Sequence, residues 1–203
     1  MKLLKIIPLL AIIPLLHGCL SDFFEPKDDP TVFYLMQARD GGKFSTLNSK
    51  TEINFQPVAI PSYMMRNQIV MLNSKDGNVN ISEFKRWGEP PQSGIMRVLA
   101  EDIARADPNI SIYAYPEISV AENPLVLRVA ISECIGSLGG DLLFKGRWSI
   151  DRNFSSSDPK DVAMNEFTVR VPCGKDADSY VKAVNEAIFQ LSQQIVKALP
   201  NYK

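Results

Sequence analysis

The sequence predicts an α+β fold, with a mostly antiparallel or mixed sheet and two helices packed on one face. Short apolar and alternating segments recur through residues 32–171 and predict strands. Two longer segments, one starting at Pro90-Pro91 and one from Asp178 onward, repeat apolar residues at helical spacing. Because the order is strands, helix, strands, helix, the pattern favours an α+β domain.

Four strands are predicted before the first helix and four after it. The first group covers residues 32–36, 53–60, 68–72 and 78–84, and the second covers 110–115, 125–131, 142–150 and 167–171. In the fourth strand, Val79, Ile81 and Phe84 are expected on the buried side. The last three strands are expected to form a meander, with Gly139-Gly140 in its first turn.

The first helix has clear limits in the sequence. Pro90 and Pro91 fit its start, because proline is tolerated in the first turn, and Asp107-Pro108 stops it. Its apolar positions follow helical spacing and are Ile95, Val98, Leu99 and Ile103.

The last helix carries one apolar stripe over about five turns. Asp176 or Asp178 can cap its N-terminus, and Pro200 ends it. The stripe either packs on the sheet or stays exposed for a partner helix. Its members are Val181, Val184, Ile188, Leu191, Ile195 and Leu199.

The N-terminus is typical of a bacterial lipoprotein signal peptide. Lys2 and Lys5 precede the apolar residues 6–16, and Leu16-His17-Gly18-Cys19 follows the lipobox pattern except at His17. The apolar segment has roughly 11 residues, whereas a membrane-spanning helix needs about 20. We therefore expect cleavage after residue 18 and acylation of Cys19, with an ordinary secretory signal as the alternative.

The domain organisation follows from this start. Residues 1–18 are the predicted signal peptide, residues 19–31 the lipidated cysteine and a tether, and residues 32–203 one globular domain. Leu20 follows the cysteine, where aspartate would favour the inner membrane, so the outer membrane is the expected location, with the domain facing the periplasm. The formal net charge of −1 argues against a nucleic-acid partner.

The composition restricts the chemistry of the mature chain. His17 is the only histidine and would leave with the signal peptide, which excludes histidine-based catalysis and zinc sites. No cofactor or metal motif is present, and three Ser-x-x-Lys matches are attributed to chance. Cys134 and Cys173 are either a disulfide pair or two buried thiols that act as small hydrophobes.

The segment from Arg86 to Pro91 is an unusual connection, because a tryptophan stands between charged residues just before a helix. Arg86 and Glu89 are expected to form a charge pair that fixes the turn. Trp87 either buries its ring at a stiff corner or, with Arg86, contributes to an interaction surface.

Several segments together resemble the ABC-type transport auxiliary lipoproteins of the PqiC/YmbA type. In order, they are the lipobox ending at Cys19, Phe33–Leu35, Val58–Tyr63, Arg66–Val70, Arg86–Pro90, Gly146–Ile150 and the C-terminal amphipathic helix. Pro91 departs from the pattern, which often has leucine there, and the two later cysteines are not part of it.

The resemblance implies a non-enzymatic component of an intermembrane transport system. Such lipoproteins are similar to partners of MCE-domain conduit proteins, which work with a membrane permease and are thought to carry lipids. The resemblance implies docking of the conduit at the outer membrane, in a ring of identical subunits. Tyr63, Arg86 and Trp87 are the candidate partner-interface residues. A stand-alone lipid-binding lipoprotein is the alternative.

Overall fold

The computed structural model describes residues 28–43, 45, 47–73, 77–152 and 164–202. The chain forms two compact units, Met1–Pro30 and Thr31–Lys203. In the first unit, residues 28–30 are exposed and have no regular secondary structure. The predicted signal peptide, Cys19 and most of the predicted tether lie outside the described residues.

The described part of the second unit contains strands and two α-helices, which confirms the α+β prediction. The strands are β1 (Val32–Tyr34), β2 (Thr51–Phe55), β3 (Gln68–Leu72), β4 (Val79–Trp87), β5 (Ile110–Ala114), β6 (Leu125–Gly136), β7 (Asp141–Asp151) and β8 (Asn165–Pro172). The helices are α1 (Pro91–Ala106) and α2 (Ala177–Ala198), with short 3₁₀ turns at Ser62–Met64 and Leu199–Tyr202. Among the described residues, no helix is long and apolar enough to cross a membrane.

The larger sheet has five strands in the order β5-β2-β6-β7-β8. β2 is parallel to both β5 and β6, whereas β6, β7 and β8 form the predicted antiparallel meander. The sheet is therefore mixed. Its inner face carries large buried side chains, including Phe55, Leu127 and Phe144.

The remaining three strands form a smaller sheet in the order β1-β4-β3. β1 runs parallel to β4, and Phe33 pairs with Arg86, more than 50 residues later. β3 runs antiparallel to β4, and a single bridge joins Leu72 to Ser137 beyond the end of β6. The alternation pattern predicts the strands but not this division into two sheets, because it carries no information on distant pairing partners.

Helix α1 begins and ends as predicted. Pro91 is its first residue, and Asp107 adopts an extended conformation just before Pro108. The four apolar positions predicted from the spacing are all fully buried: Ile95, Val98, Leu99 and Ile103.

Helix α2 packs its apolar stripe into the core, which decides between the two alternatives in favour of packing. Asp176 is the N-cap, and its carboxylate accepts a hydrogen bond from the Ser179 backbone N–H at 2.7 Å. The Ser179 hydroxyl also donates to this carboxylate at 2.5 Å, and this bond, followed by the one from the backbone N–H, lowers the pKa of Asp176. Every predicted member of the stripe is buried, from Val181 to Leu199.

The expectation for β4 was wrong, since Val79, Ile81 and Phe84 are exposed. The core contacts of the small sheet are made by the opposite face, which carries the buried Ile69 and Met71. An alternating pattern shows that one face of a strand is apolar, but it does not show that another layer covers that face.

Between β1 and β2 the chain crosses the helices; we call residues 35–50 the crossing segment. Its backbone is hydrogen-bonded by side chains of α1, of the residue that ends α1, and of α2. Residues 44 and 46 of the segment are not described. The contacts are Arg97 Nη2 to the Met36 carbonyl at 2.8 Å, Gln37 N–H to Asn185 Oδ1 at 3.2 Å, Arg39 N–H to Asp102 Oδ1 at 2.9 Å, and Leu47 N–H to Asp107 Oδ2.

Asp102 is the most unusual of these partners. Its residue is 1 % exposed, and its Oδ2 atom has no hydrogen-bond partner in the described structure. Burial raises the pKa of Asp102 to about 6, although the bond from Arg39 N–H acts in the opposite direction. The native state therefore favours the protonated carboxyl relative to the unfolded chain.

Both cysteines are buried free thiols in the structure. Cys134 on β6 lies opposite Phe144 on β7, which lies opposite Val169 on β8. Cys173 follows β8, so β7 separates the two thiols. Two strand spacings amount to about 10 Å, and a disulfide needs Cα atoms within about 7 Å. Burial raises the pKa of Cys134 to about 12 and also raises that of Cys173.

We expect Asp102→Asn to flatten the pH dependence of stability. In the wild-type protein the pKa of Asp102 is higher in the folded than in the unfolded state. The contribution of this carboxyl to the free energy of unfolding is therefore fully present below about pH 4 and is lost as the pH rises through 6, by about 2–3 kcal/mol. Urea unfolding at pH 4.5 and 7.5 measures the difference. Glu117→Gln removes an exposed carboxylate on the segment after β5 and is the control, which should keep the wild-type profile. An unchanged profile in Asp102→Asn would contradict the assignment.

Alkylation tests the state of the thiols. Without a reductant, iodoacetamide should modify Cys134 and Cys173 completely in denaturant and only slowly in the native protein, because both are buried. Peptide mapping by mass spectrometry identifies the products. Recovery of a Cys134–Cys173 linked peptide would show that the sheet register described above is wrong.

Candidate functional site

The segment between β4 and α1 forms a tight corner with Trp87 at its inner side. The Trp87 backbone N–H donates to the Asn67 carbonyl at 2.6 Å, and the Gly88 N–H donates to the Tyr34 carbonyl at 2.7 Å. The Trp87 residue is only 7 % exposed and belongs to the core. Its indole ring therefore stabilises the corner and offers little surface to a partner.

The predicted Arg86–Glu89 pair does not form. Glu89 pairs instead with Arg97, at 2.5 Å, and this bond raises the pKa of the guanidinium. Gly94 leaves room for the arrangement, since a Cβ at this position would lie 3.2 Å from Glu89 Oε1. Arg86 Nε donates weakly to the Glu83 carbonyl at 3.4 Å.

Tyr63 lies in the 3₁₀ turn and is half-buried. Its hydroxyl oxygen accepts a hydrogen bond from the Cys134 backbone N–H at 2.9 Å. Burial raises the pKa of Tyr63. Tyr63 and Trp87 line one narrow internal cavity of about 20 Å³, and Arg86 is not among its lining residues. The structure thus brings together two of the three predicted interface residues.

Tyr180 lines the same cavity but is not among the site residues predicted from the sequence. Its hydroxyl donates to the Val70 carbonyl at 3.1 Å, which ties α2 to the small sheet. Burial raises the pKa of Tyr180 well above its usual value. Its position four residues before Val184 places it beside the apolar stripe and was the available signal.

An open groove lies on the solvent side of this corner. We call it the corner groove; its volume is about 370 Å³. Three of the segments that carry the sequence resemblance contribute to it: Val58–Tyr63, Arg66–Val70 and Arg86–Pro90. The Gln92 side-chain amide ties the start of α1 to the first of them, since it donates to the Val58 carbonyl at 2.6 Å. Its lining residues are Ile60, Met65, Arg66, Asn67, Pro90, Pro91 and Gln92.

The corner groove combines the features of a protein-binding surface. Met65 is 67 % exposed, and Arg66 lies beside it. The two prolines give one wall a rigid backbone. An exposed flexible thioether next to a guanidinium is suited to a protein partner rather than to bond-breaking chemistry.

A second open groove, of about 530 Å³, runs between the crossing segment, the end of β8 and the first half of α2. Arg39 forms an ion pair with Glu186 at its edge, and the Arg39 guanidinium lies over the Phe189 ring at 5.4 Å. Its lining is mixed, with the apolar Val171 and Ala183 beside the polar Ser179 and Lys182. In the described part of the chain, no group of three metal-ligating side chains is close enough to hold an ion.

Substitutions at the corner should separate structure from recognition. Trp87→Ala should destabilise the protein by about 3–5 kcal/mol, because it empties a core position. Tyr63→Phe should cost about 1 kcal/mol through loss of the acceptor for Cys134 N–H. Met65→Ala, on the open groove, should change stability by less than about 0.5 kcal/mol. Urea unfolding followed by circular dichroism measures all three, and a near-neutral Trp87→Ala would restore its candidacy as an interface residue.

Comparisons with known proteins place this fold in a family. A family model described as the ABC-type transport auxiliary lipoprotein component matches residues 34–196. A crystal structure titled only as an uncharacterized protein is similar over 83 % of this chain and 98 % of its own, with a TM-score of 0.67 and 17 % identity. A Xanthomonas campestris protein assigned to the DUF330 family is similar over 82 % and 94 % of the two chains, with a TM-score of 0.58 and 14 % identity.

The two structural likenesses concern the fold alone, because both identities are low. No curated protein matches the sequence. The family model, however, extends from β1 to the end of α2 and includes every segment of the corner groove. The chain therefore belongs to the family of ABC-type transport auxiliary lipoprotein components.

Proposed function

We propose that this protein is the docking component of an MCE-type, Pqi-like intermembrane lipid transport system. It is anchored to the outer membrane by acylation of Cys19, faces the periplasm and assembles with copies of itself. The observation that carries the proposal is the family match over residues 34–196, together with the lipobox sequence that ends at Cys19. Envelope integrity depends on the contact between this domain and the conduit protein.

The corner groove is the surface that we assign to the conduit protein. It lies where the segments that resemble the family converge, and Met65 and Arg66 provide an apolar and a charged contact side by side. Trp87 and Tyr63 support this surface from inside, since they pack behind the corner that carries it. Their role is to position the groove.

Docking is better supported than lipid carriage. A carrier needs a cavity able to enclose an acyl chain, and ligand pockets usually have about 300–1,000 Å³. The narrow cavity beside Trp87 and Tyr180 has only about 20 Å³. The larger spaces, such as the corner groove, are open to solvent and suit a protein surface.

We also propose that the protein is not an enzyme. After removal of residues 1–18, the chain would have no histidine. The two free cysteines are buried, and burial raises their pKa values, which disfavours the thiolate needed by a nucleophile. These features leave transport assistance as the function that agrees best with the family.

Crosslinking of intact cells, purification through a C-terminal tag and mass spectrometry test the proposal. An MCE-domain protein and its permease should be recovered with the wild-type chain. Met65→Glu should lower that recovery about tenfold, equivalent to ~1.4 kcal/mol of binding free energy. Val120→Glu, at a residue 99 % exposed outside the groove, is the matched control and should have no effect.

The same experiment distinguishes the alternatives. Recovery of self-crosslinks and lipid without an MCE-domain protein would contradict docking and support a stand-alone lipid-binding lipoprotein. Cys19→Ala should abolish incorporation of labelled fatty acid and either release the protein or stall it as the uncleaved precursor. Retention of fatty-acid label in Cys19→Ala would show that the lipobox assignment is wrong.

A further inference from the structure

The small sheet has an apolar face that points away from the core. Phe33 pairs with Arg86 across β1 and β4, and paired residues point to the same side of a sheet. The neighbouring pair, Tyr34 and Trp87, points to the opposite side, and Trp87 is buried in the core. Phe33 and Arg86 therefore point outward, and Phe84, two residues before Arg86, shares that side.

The register with β3 extends this face. Gln68 pairs with Arg86, and Val70 pairs with Ile81. Because Gln68 and Val70 are two residues apart on one strand, their partners Arg86 and Ile81 lie on the same face despite the irregularity between them. Val79, two residues before Ile81, completes the set. We call Phe33, Val79, Ile81, Phe84 and Arg86 the outer face.

The outer face is largely open to solvent in the described structure. Phe33 is 64 % exposed, Val79 53 %, Ile81 47 % and Phe84 43 %. Large apolar side chains that share a face at this exposure mark an interaction surface, whereas single exposed residues are ordinary. Ile69 and Met71, on the other side of the same sheet, belong to the core.

The position of the outer face in the chain indicates what covers it. β1, which carries Phe33, is the first strand after the predicted tether. Val32 follows Cys19 by 13 residues, and these span at most about 43 Å when fully extended. A bilayer that holds an acylated Cys19 is thus within reach of the outer face, and the chain enters the domain at this sheet.

We propose that the outer face rests on the lipid bilayer and fixes the orientation of the domain on the membrane. This proposal rests on the acylation of Cys19 in the proposed function. Phe33, Ile81 and Phe84 enter the headgroup–acyl boundary, where apolar and aromatic side chains bind. Arg86, half-buried on the same face, meets the lipid phosphates.

The acyl anchor and the outer face have different effects. The acyl chains hold the protein at the membrane, and the outer face adds burial of apolar area that depends on orientation. Because the domain lies on its small sheet, the rest of its surface, including the corner groove, has a defined direction relative to the bilayer.

Fluorescence quenching in proteoliposomes tests the proposal with the full processed chain. The native Trp87 and Trp148 are buried in the core, so the wild-type signal is the baseline. Phe33→Trp places a reporter on the outer face. In vesicles of phosphatidylethanolamine and phosphatidylglycerol with brominated acyl chains, it should lose about half of its emission, as for a ring about 5–10 Å into the interface.

Val120→Trp is the matched control, since Val120 is 99 % exposed on the loop after β5. It should show no quenching beyond the wild type. Equal quenching of the two reporters, or none at Phe33→Trp, would overturn the proposal. A blue-shifted but unquenched Phe33→Trp reporter would overturn it in favour of a second copy or another protein on the outer face.

The intact mass of the same preparation separates this proposal from the proposed function. An acylated chain whose Phe33→Trp reporter is unquenched overturns only the membrane contact of the outer face. A chain without acyl groups at Cys19 overturns both the anchor and this proposal. An acylated chain with selective quenching supports both.

Discussion

The arrangement of the two sheets depends on the crossing segment, which carries the chain across the helices from β1 to β2. β1 belongs to the small sheet and β2 to the large one, and the segment that connects them, residues 35–50, is held against α1 and its end by Asp102 and Asp107. Backbone N–H groups along a buried path need acceptors. Asp102 and Asp107, both 1 % exposed, supply them from α1 and its end. An unpartnered carboxylate oxygen on Asp102 is the cost of this solution.

The helices then link the two sheets. α2 packs its stripe on the five-stranded sheet and reaches the three-stranded sheet through the Tyr180 hydroxyl on the Val70 carbonyl. α1 starts at the corner beside Trp87, and its Arg97 holds both Glu89 and the Met36 carbonyl. Pro91 and Gln92, at the start of α1, thus hold one wall of the corner groove in place. A wall fixed in this way suits a surface that must present the same shape to a partner at every encounter.

Local signals in the sequence predicted the positions of the helices and strands well. They did not predict which strands pair when those strands lie far apart in the sequence. The limits of α1 followed from Pro91 and Pro108, and the register of the C-terminal stripe followed from its spacing, because both are determined within a few residues. The two-sheet division depends on pairing between Phe33 and Arg86, which no local pattern encodes. For the candidate site, Trp87 was found by its residue type but belongs to the core. Glu89 pairs with Arg97 and not with Arg86, and Gly94, one turn into α1, leaves space for the Glu89 carboxylate.

The short first strand has a mechanical consequence. A force that pulls on the N-terminus enters the domain through β1, which has three residues and pairs only with β4. β1 would peel away first, and the load would then pass to the contacts of Met36, Gln37 and Arg39 with the two helices. These contacts come before the five-stranded sheet along the chain, so they bear the load before that sheet does. Tension from the tether would therefore be borne first by one short strand and then by hydrogen bonds to the helices.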